Sequence, residues 1–229
     1  MQFSPLPSIR RYLRNKLGEL VASGPYKGMK FPENNGIDCY ECKLMGIYEK
    51  ELHPVIENLT QKKLHSLTII GAAEGYHATG LARSTSLIPT CFESDRIRSK
   101  NLMEMGNFNE IEVDIRGSFG KDTIWNAKPG LIFIDIEGNE MGVLTEERLE
   151  MWQKHYLIVE VHSEEILQSL KERSHGLFKT EWIKCKKRTI HDYPFSIPLK
   201  HALRRWWNVP VQEWRSDSLG WLVLNPLEG

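Results

Sequence analysis

Leu131-Ile132-Phe133-Ile134-Asp135-Ile136-Glu137-Gly138-Asn139-Glu140 is an unbroken apolar run that stops on a group of carboxylates and a glycine. A strand with one solvated face alternates apolar and polar side chains. This run does not, so it predicts a strand covered on both faces, as in a parallel sheet. Similar apolar runs stand at Leu67 to Ile70, Leu87 to Phe92 and Tyr156 to Val161. Helical stretches lie between and after them: from Gly75 through Ala82, Asp95 to Met105, Gly138 to Trp152 and Glu164 to Leu170. Ile111 to Ile115 alternates. The order predicts an α/β domain with a doubly wound, mostly parallel sheet. In such sheets ligands bind beyond the carboxyl ends of the strands, at the topological switch point. Chemistry is therefore expected just after Ile70, Phe92, Ile134 and Val161.

The chain ends read less clearly. Ile9, Leu13, Leu17 and Leu20 recur at helical spacing behind Ser8 as N-cap, with Arg10, Arg11 and Arg14 among them. A helix packed on the domain is expected there, with a membrane-surface role as the alternative. Gly24 to Gly36 is rich in turn formers, including Asn34-Asn35-Gly36. Ile47 to Leu59 reads as a helix in which Pro54 marks a kink or a late start. Residues 1–62 are thus expected to form a helical and loop extension packed on the core, and 63–229 the main domain. Beyond Leu177 come a basic cluster (Lys184, Lys186, Lys187, Arg188), a turn at His191-Asp192-Tyr193-Pro194 and a helix around Leu199 to Trp207. Gly220 to Leu224 reads as a strand, expected to pair antiparallel at the sheet edge with Val211 to Trp214.

Composition narrows the function classes. The 229 residues are 41% hydrophobic and 26% charged, with formal net charge zero. A general nucleic-acid binder draws its affinity from excess Lys and Arg, so that class is not expected, although a local basic patch remains open. No apolar run approaches the roughly 20 residues of a membrane span. No apolar stretch follows the N-terminal arginines as in a secretory leader, and the cytoplasm is the expected location. Cys39 and Cys42 form a lone C-x-x-C without the second pair that a structural zinc site usually has. Cys91, inside an apolar run, reads as a core thiol.

Four segments carry the chemistry. Gly71-Ala72-Ala73-Glu74-Gly75-Tyr76 is a strand-to-helix turn whose glycines admit unusual backbone angles and close ligand approach. Its helix start offers free N–H groups to a carboxylate. Glu93, about twenty residues on, ends the next strand, where an acid accepts hydrogen bonds from ribose hydroxyls. The turn lacks the G-x-G-x-x-G spacing of a dinucleotide site, and Glu74 would repel a pyrophosphate. Asp135 and Glu137 lie at the mouth of the third apolar run. Glu160 and His162 share one side of the fourth.

These segments, with Phe92-Glu93-Ser94-Asp95 and Ile158-Val159-Glu160-Val161-His162, resemble the FkbM family of S-adenosyl-L-methionine (SAM)-dependent O-methyltransferases, and the D-x-E-G-x-E stretch at Asp135 to Glu140 is the most specific part. The resemblance covers about Leu67 to His162. It implies a seven-stranded sheet of the class I methyltransferase type and SAM as cofactor. Gly71, Ala72, Glu74, Gly75, Glu93 and Asp135 would hold that cofactor. The methyl group would pass to a hydroxyl of a sugar, glycan or natural-product intermediate, with His162 as the first candidate for the base and Glu137 the second. A hydrogen-bonded imidazole without catalytic role is the plainer reading of His162. No metal is expected, although Asp135, Glu137 and His162 are suitable divalent ligands. Class I enzymes usually carry an acid two positions before the first motif glycine. Here Ile69 stands there, and Asp135 or Glu49 would have to substitute. A non-catalytic SAM- or nucleotide-binding partner subunit and an RNA or protein methyltransferase are the competing functions. The expected partner is a small-molecule or glycan acceptor, and a homodimer is compatible with the sequence. His191-Asp192-Tyr193 as an acceptor-pocket lining competes with a surface turn.

Overall fold

The computed structural model describes residues 6–33, 38–197, 204–213 and 219–227. Asn34-Asn35-Gly36, Trp214 and the first half of the expected 199–207 helix lie outside them. Among the described residues, seven strands form one sheet in the order β3-β2-β1-β4-β5-β7-β6. They are β1 (Leu67–Ile70), β2 (Pro89–Phe92), β3 (Asp114–Arg116), β4 (Leu131–Ile134), β5 (Tyr156–Val161), β6 (Phe178–Lys184) and β7 (Gly220–Pro226). β1 pairs in parallel with β2 and with β4, so the chain winds outward in both directions from the β1–β4 seam. That seam is the switch point at which such sheets open a crevice.

Alternate residues of each strand feed two cores. Ile69, Cys91, Phe133, Ile158 and Trp221 face one side. Ile70, Phe92, Ile134, Val159 and Leu222 face the other. Each face is covered by helices, which is why β1, β4 and most of β5 are buried throughout. Arg148 is buried beside the second core and donates to the carbonyls of Gly120 (2.7 Å), Thr123 (2.9 Å) and Val143 (3.0 Å), tying down the loop that follows β3.

The helices are α1 (Leu6–Leu17), α2 (Tyr40–Met45), α3 (His53–Thr60), α4 (Tyr76–Thr85), α5 (Arg96–Phe108), α6 (Glu140–Val143), α7 (Glu146–Met151), α8 (Glu164–Ser174) and α9 (Arg204–Trp207). One expected helix has the late start that Pro54 signals, and another is corrected. The one expected from Ile47 begins at His53, because Glu49 adopts a positive φ of 48° and Pro54 occupies the first turn, where its missing N–H costs nothing. The one expected from Gly138 to Trp152 breaks in two, because the Thr145 side chain caps a fresh start by accepting from the Arg148 N–H.

The C-terminal strand is also corrected. β7 is antiparallel as expected, but it lies inside the sheet, pairing with β5 on one side and β6 on the other. Val211 is in a short 3-10 turn instead. Ile9, Leu13, Cys42, Met45, Tyr193, Trp207 and Val211 form a third core in which α1 and α2 pack against residues from 190–197 and 206–211. Buried Arg188 fastens the same junction through ion pairs with Glu51 and Glu213 and a bond to the Ile47 carbonyl. Its burial sets it apart from the other members of the basic cluster at Lys184 to Arg188. No helix among the described residues is long and apolar enough to cross a membrane.

Candidate functional site

A cavity of about 670 Å³ opens at the carboxyl ends of β1, β2, β4 and β5. It takes Gly71, Ala73 and Glu74 from the turn after β1, and Glu93 from the end of β2. Asp135 and Glu137 follow β4, and Glu160 and His162 come from the end of β5. Residues outside the strand alternation complete it, among them Arg10 and Arg14 on α1, Lys43 on α2, and Tyr48. Of the expected cofactor residues, Ala72 and Gly75 shape the turn without lining the cavity. The Gly75 φ of 94° sets the start of α4.

Gly71 is required by its neighbour strand. Its φ is +83°, and a Cβ there would sit 1.7 Å from the Asp135 carbonyl oxygen. The turn is therefore pressed against the end of β4, and the Asp135 N–H donates to the Ile70 carbonyl at 2.9 Å. This brings the two halves of the cavity together at the seam.

Glu93 is fixed by the backbone around it. It is buried, and its two oxygens each accept a backbone N–H at 2.8 Å, one from Ala73 and one from Asp95. A carboxylate has about four acceptor sites, so capacity remains for a ligand. The bonds also fix the side chain before any ligand arrives, which lowers the ordering cost of binding. Glu93→Ala is expected to weaken binding of S-adenosylhomocysteine by roughly 1.5–3 kcal/mol, the scale of hydrogen bonds to a charged group. Calorimetry on a folded variant with undiminished affinity would place the ribose elsewhere.

The β4–β5 side carries an oriented imidazole. His162 Nδ1 is hydrogen-bonded to Glu140, whose side chain is fully buried at the start of α6. His162 Nε2 is left facing Glu160 at 3.6 Å and Glu137 at 3.7 Å. The hydrogen bond donated to Glu140 raises the His162 pKa above its usual 6.5, burial opposes it, and the charges of Glu140, Asp135 and Glu137 add to the rise. The neutral ring, with Nδ1–H donated to Glu140, presents a lone pair on Nε2. That is the orientation of a general base supported by a buried carboxylate. Glu140 was not singled out in the sequence, although it belongs to the D-x-E-G-x-E stretch. Its signal was the three-residue offset from Glu137 across the Gly138 turn.

Glu137 itself sits on that turn with a φ of +53° and a side chain 80% exposed. Asp135 does not cap the helix that follows, since the cap residue is Asn139. Ligand atoms of Asp135, Glu160 and His162 lie within 4.8 Å of one another, so the donor set suited to a divalent ion includes Glu160 in place of Glu137. Glu49 is fully buried and engages His77 Nε2 at 2.8 Å. Cys39 and Cys42 are free thiols. Burial pushes the Cys39 pKa up to about 11 and the Cys42 pKa well above normal, which disfavours the thiolates that zinc needs. Asp192 closes a capping box on Thr189 and pairs with Lys50, so His191-Asp192-Tyr193 is a turn outside the cavity.

No family model matches the chain, and no curated protein matches it in sequence. Solved structures do match in shape. A methyltransferase from Pyrococcus furiosus is 15% identical, with 97% of this chain and 98% of that one covered at a TM-score of 0.50. The ribosomal protein L11 methylase from Lactobacillus delbrueckii subsp. bulgaricus is 9% identical, covering 80% and 81% of the two chains at 0.50. A SAM-dependent O-methyltransferase from Thermotoga maritima is 8% identical, covering 79% and 66% at 0.50. The likeness is one of fold: this sheet and its flanking helices have the Rossmann-like architecture of class I SAM-dependent methyltransferases of several kinds.

Proposed function

We propose that this protein transfers a methyl group from SAM to a hydroxyl of a sugar, glycan or natural-product intermediate, as the FkbM resemblance implies. The observation that carries the reading is the juxtaposition, in one cavity, of a ribose-type acid on the Gly71 turn side and a Glu140-oriented imidazole on the β5 side. SAM brings an activated methyl on its sulfonium, so the protein's task is to align acceptor oxygen, methyl and sulfur and to take up the hydroxyl proton. Glu93 holds the ribose, and Gly71, Ala73 and Glu74 border the rest of the cofactor. Asp135 stands between the cofactor side and the acceptor side. His162 Nε2 accepts the proton, and Glu137, at the exposed rim, meets the acceptor.

Titrations with SAM, S-adenosylhomocysteine and NAD in parallel test the cofactor. The first two are expected to bind and NAD is not, because the turn lacks pyrophosphate spacing and carries Glu74. Micromolar NAD binding with no response to SAM would overturn the reading. With an acceptor in hand, the kcat/KM profile is expected to rise as the imidazole loses its proton. Because Glu140 raises the His162 pKa, the midpoint should lie above 6.5. A midpoint below that value would remove Glu140 from the proposed role.

A further inference from the structure

Lys43 is an unusual lysine. It stands on α2, outside the strand-helix alternation, yet its side chain is only 7% exposed and it lines the cavity beside the Gly71 turn. Its Nζ pairs with Glu74, the acid of that turn, and lies 4.7 Å from the Tyr48 ring centroid and 5.9 Å from that of Tyr76. Burial works against the charge, but Glu74 outweighs it, so the Lys43 pKa is raised and the ammonium persists. The other described cations that line the cavity, Arg10, Arg14, Arg98 and His162, are all more exposed. An ammonium has three donors, and among the described residues Glu74 is the hydrogen-bond acceptor that Nζ meets. Donor capacity and charge therefore remain at the cavity wall.

We propose that Lys43 and Glu74 together clamp the amino-acid end of the cofactor, Lys43 taking its α-carboxylate and Glu74 its α-ammonium. The inference rests on the SAM reading and adds a residue to it. With the ribose on Glu93, the rest of the cofactor runs along the turn that contains Glu74. Its amino-acid end is a zwitterion, and the wall there offers the complementary pair of opposite charges. Ile69 has no charge to offer that end, and Glu49 is committed to His77. The paired carboxylate and ammonium from the turn and from α2 supply what Ile69 lacks. The helical extension thereby becomes part of the cofactor site.

Two probes separate this role from general support of the turn. S-adenosylhomocysteine carries the amino-acid end, and 5′-methylthioadenosine lacks it. In Lys43→Met, affinity for S-adenosylhomocysteine is expected to fall about 10- to 100-fold, while that for methylthioadenosine stays within about twofold. Removing one member of a buried pair leaves the other charge uncompensated and destabilises the single variant. The double variant Lys43→Met/Glu74→Gln removes both charges. In it the two ligands are expected to bind with nearly equal affinity. Equal losses for both ligands, or an unchanged preference for S-adenosylhomocysteine, would overturn the clamp. Wild-type protein that binds the two ligands equally well would overturn the clamp and leave the cofactor reading standing. Wild-type protein that binds neither would overturn both.

Discussion

His162→Ala is expected to lower turnover by about 10²–10⁴, the usual span for a positioned acid or base, with affinity for S-adenosylhomocysteine nearly unchanged. The size follows from geometry. Nδ1 is committed to a fully buried carboxylate, so Nε2 is the nitrogen free to meet a hydroxyl. Alanine removes that proton acceptor and leaves Glu140 buried without its partner. Glu140→Gln is the finer probe, because its amide oxygen can keep the Nδ1–H bond while the charge is lost. The charge of Glu140 then no longer adds to the raised His162 pKa, so the pH–rate midpoint should move down. The sign is fixed: a base works when neutral, so the wild-type rate rises through a pKa above 6.5, and the variant gains activity at lower pH. A divalent ion on Asp135, Glu160 and His162 would give a different pattern. Chelator would then abolish activity, and magnesium or manganese would restore it. Full turnover in His162→Ala with no response to chelator would leave alignment alone as the source of catalysis.

The sequence disclosed those parts of the fold whose burial is two-sided. β1, β4 and β5 sit in the middle of the sheet, so Leu67–Ile70, Leu131–Ile134 and Tyr156–Val161 had to be apolar on both faces, and their runs marked them within a residue or two. β6 carried no such mark. It is an edge strand, and Lys179, Thr180 and Glu181 are exposed on it. β7 was legible as a strand, but its insertion between β5 and β6 is a long-range choice that no local pattern encodes. The site divides the same way. Gly71, Glu93, Asp135 and His162 follow strand ends and could be found by position. Glu140 was hidden because a turn with positive φ at Glu137 and Gly138 intervenes before α6, which breaks simple strand alternation. Lys43 was hidden because α2 is six residues long and lies before the first apolar run. Its approach to Glu74 depends on packing of the extension, which spacing cannot show.

Gly71→Ala should have the largest effect on the folded cavity, and Gly138→Ala shows why. Both residues have positive φ, +83° and +92°, so alanine at either carries a conformational cost of about 1–2 kcal/mol. They differ in what a Cβ would meet. At Gly138 nothing lies within 4 Å, whereas at Gly71 the Asp135 carbonyl oxygen is 1.7 Å away and its carbon 2.7 Å away. Those are backbone atoms just past the end of β4 and cannot swing aside. The turn must separate from the end of β4, adding an overpacking cost of about 1–3 kcal/mol. The total, about 2–5 kcal/mol, is a large part of the roughly 5–15 kcal/mol that holds an ordinary domain together. The same displacement moves Ala73, whose N–H fixes Glu93, so binding of S-adenosylhomocysteine should fall with stability. Denaturant unfolding and ligand titration on both variants separate the two costs. If Gly71→Ala proves no less stable than Gly138→Ala and binds the ligand normally, the close contact between the turn and β4 does not govern the cavity, and the seam between the two halves of the sheet is looser than this geometry requires.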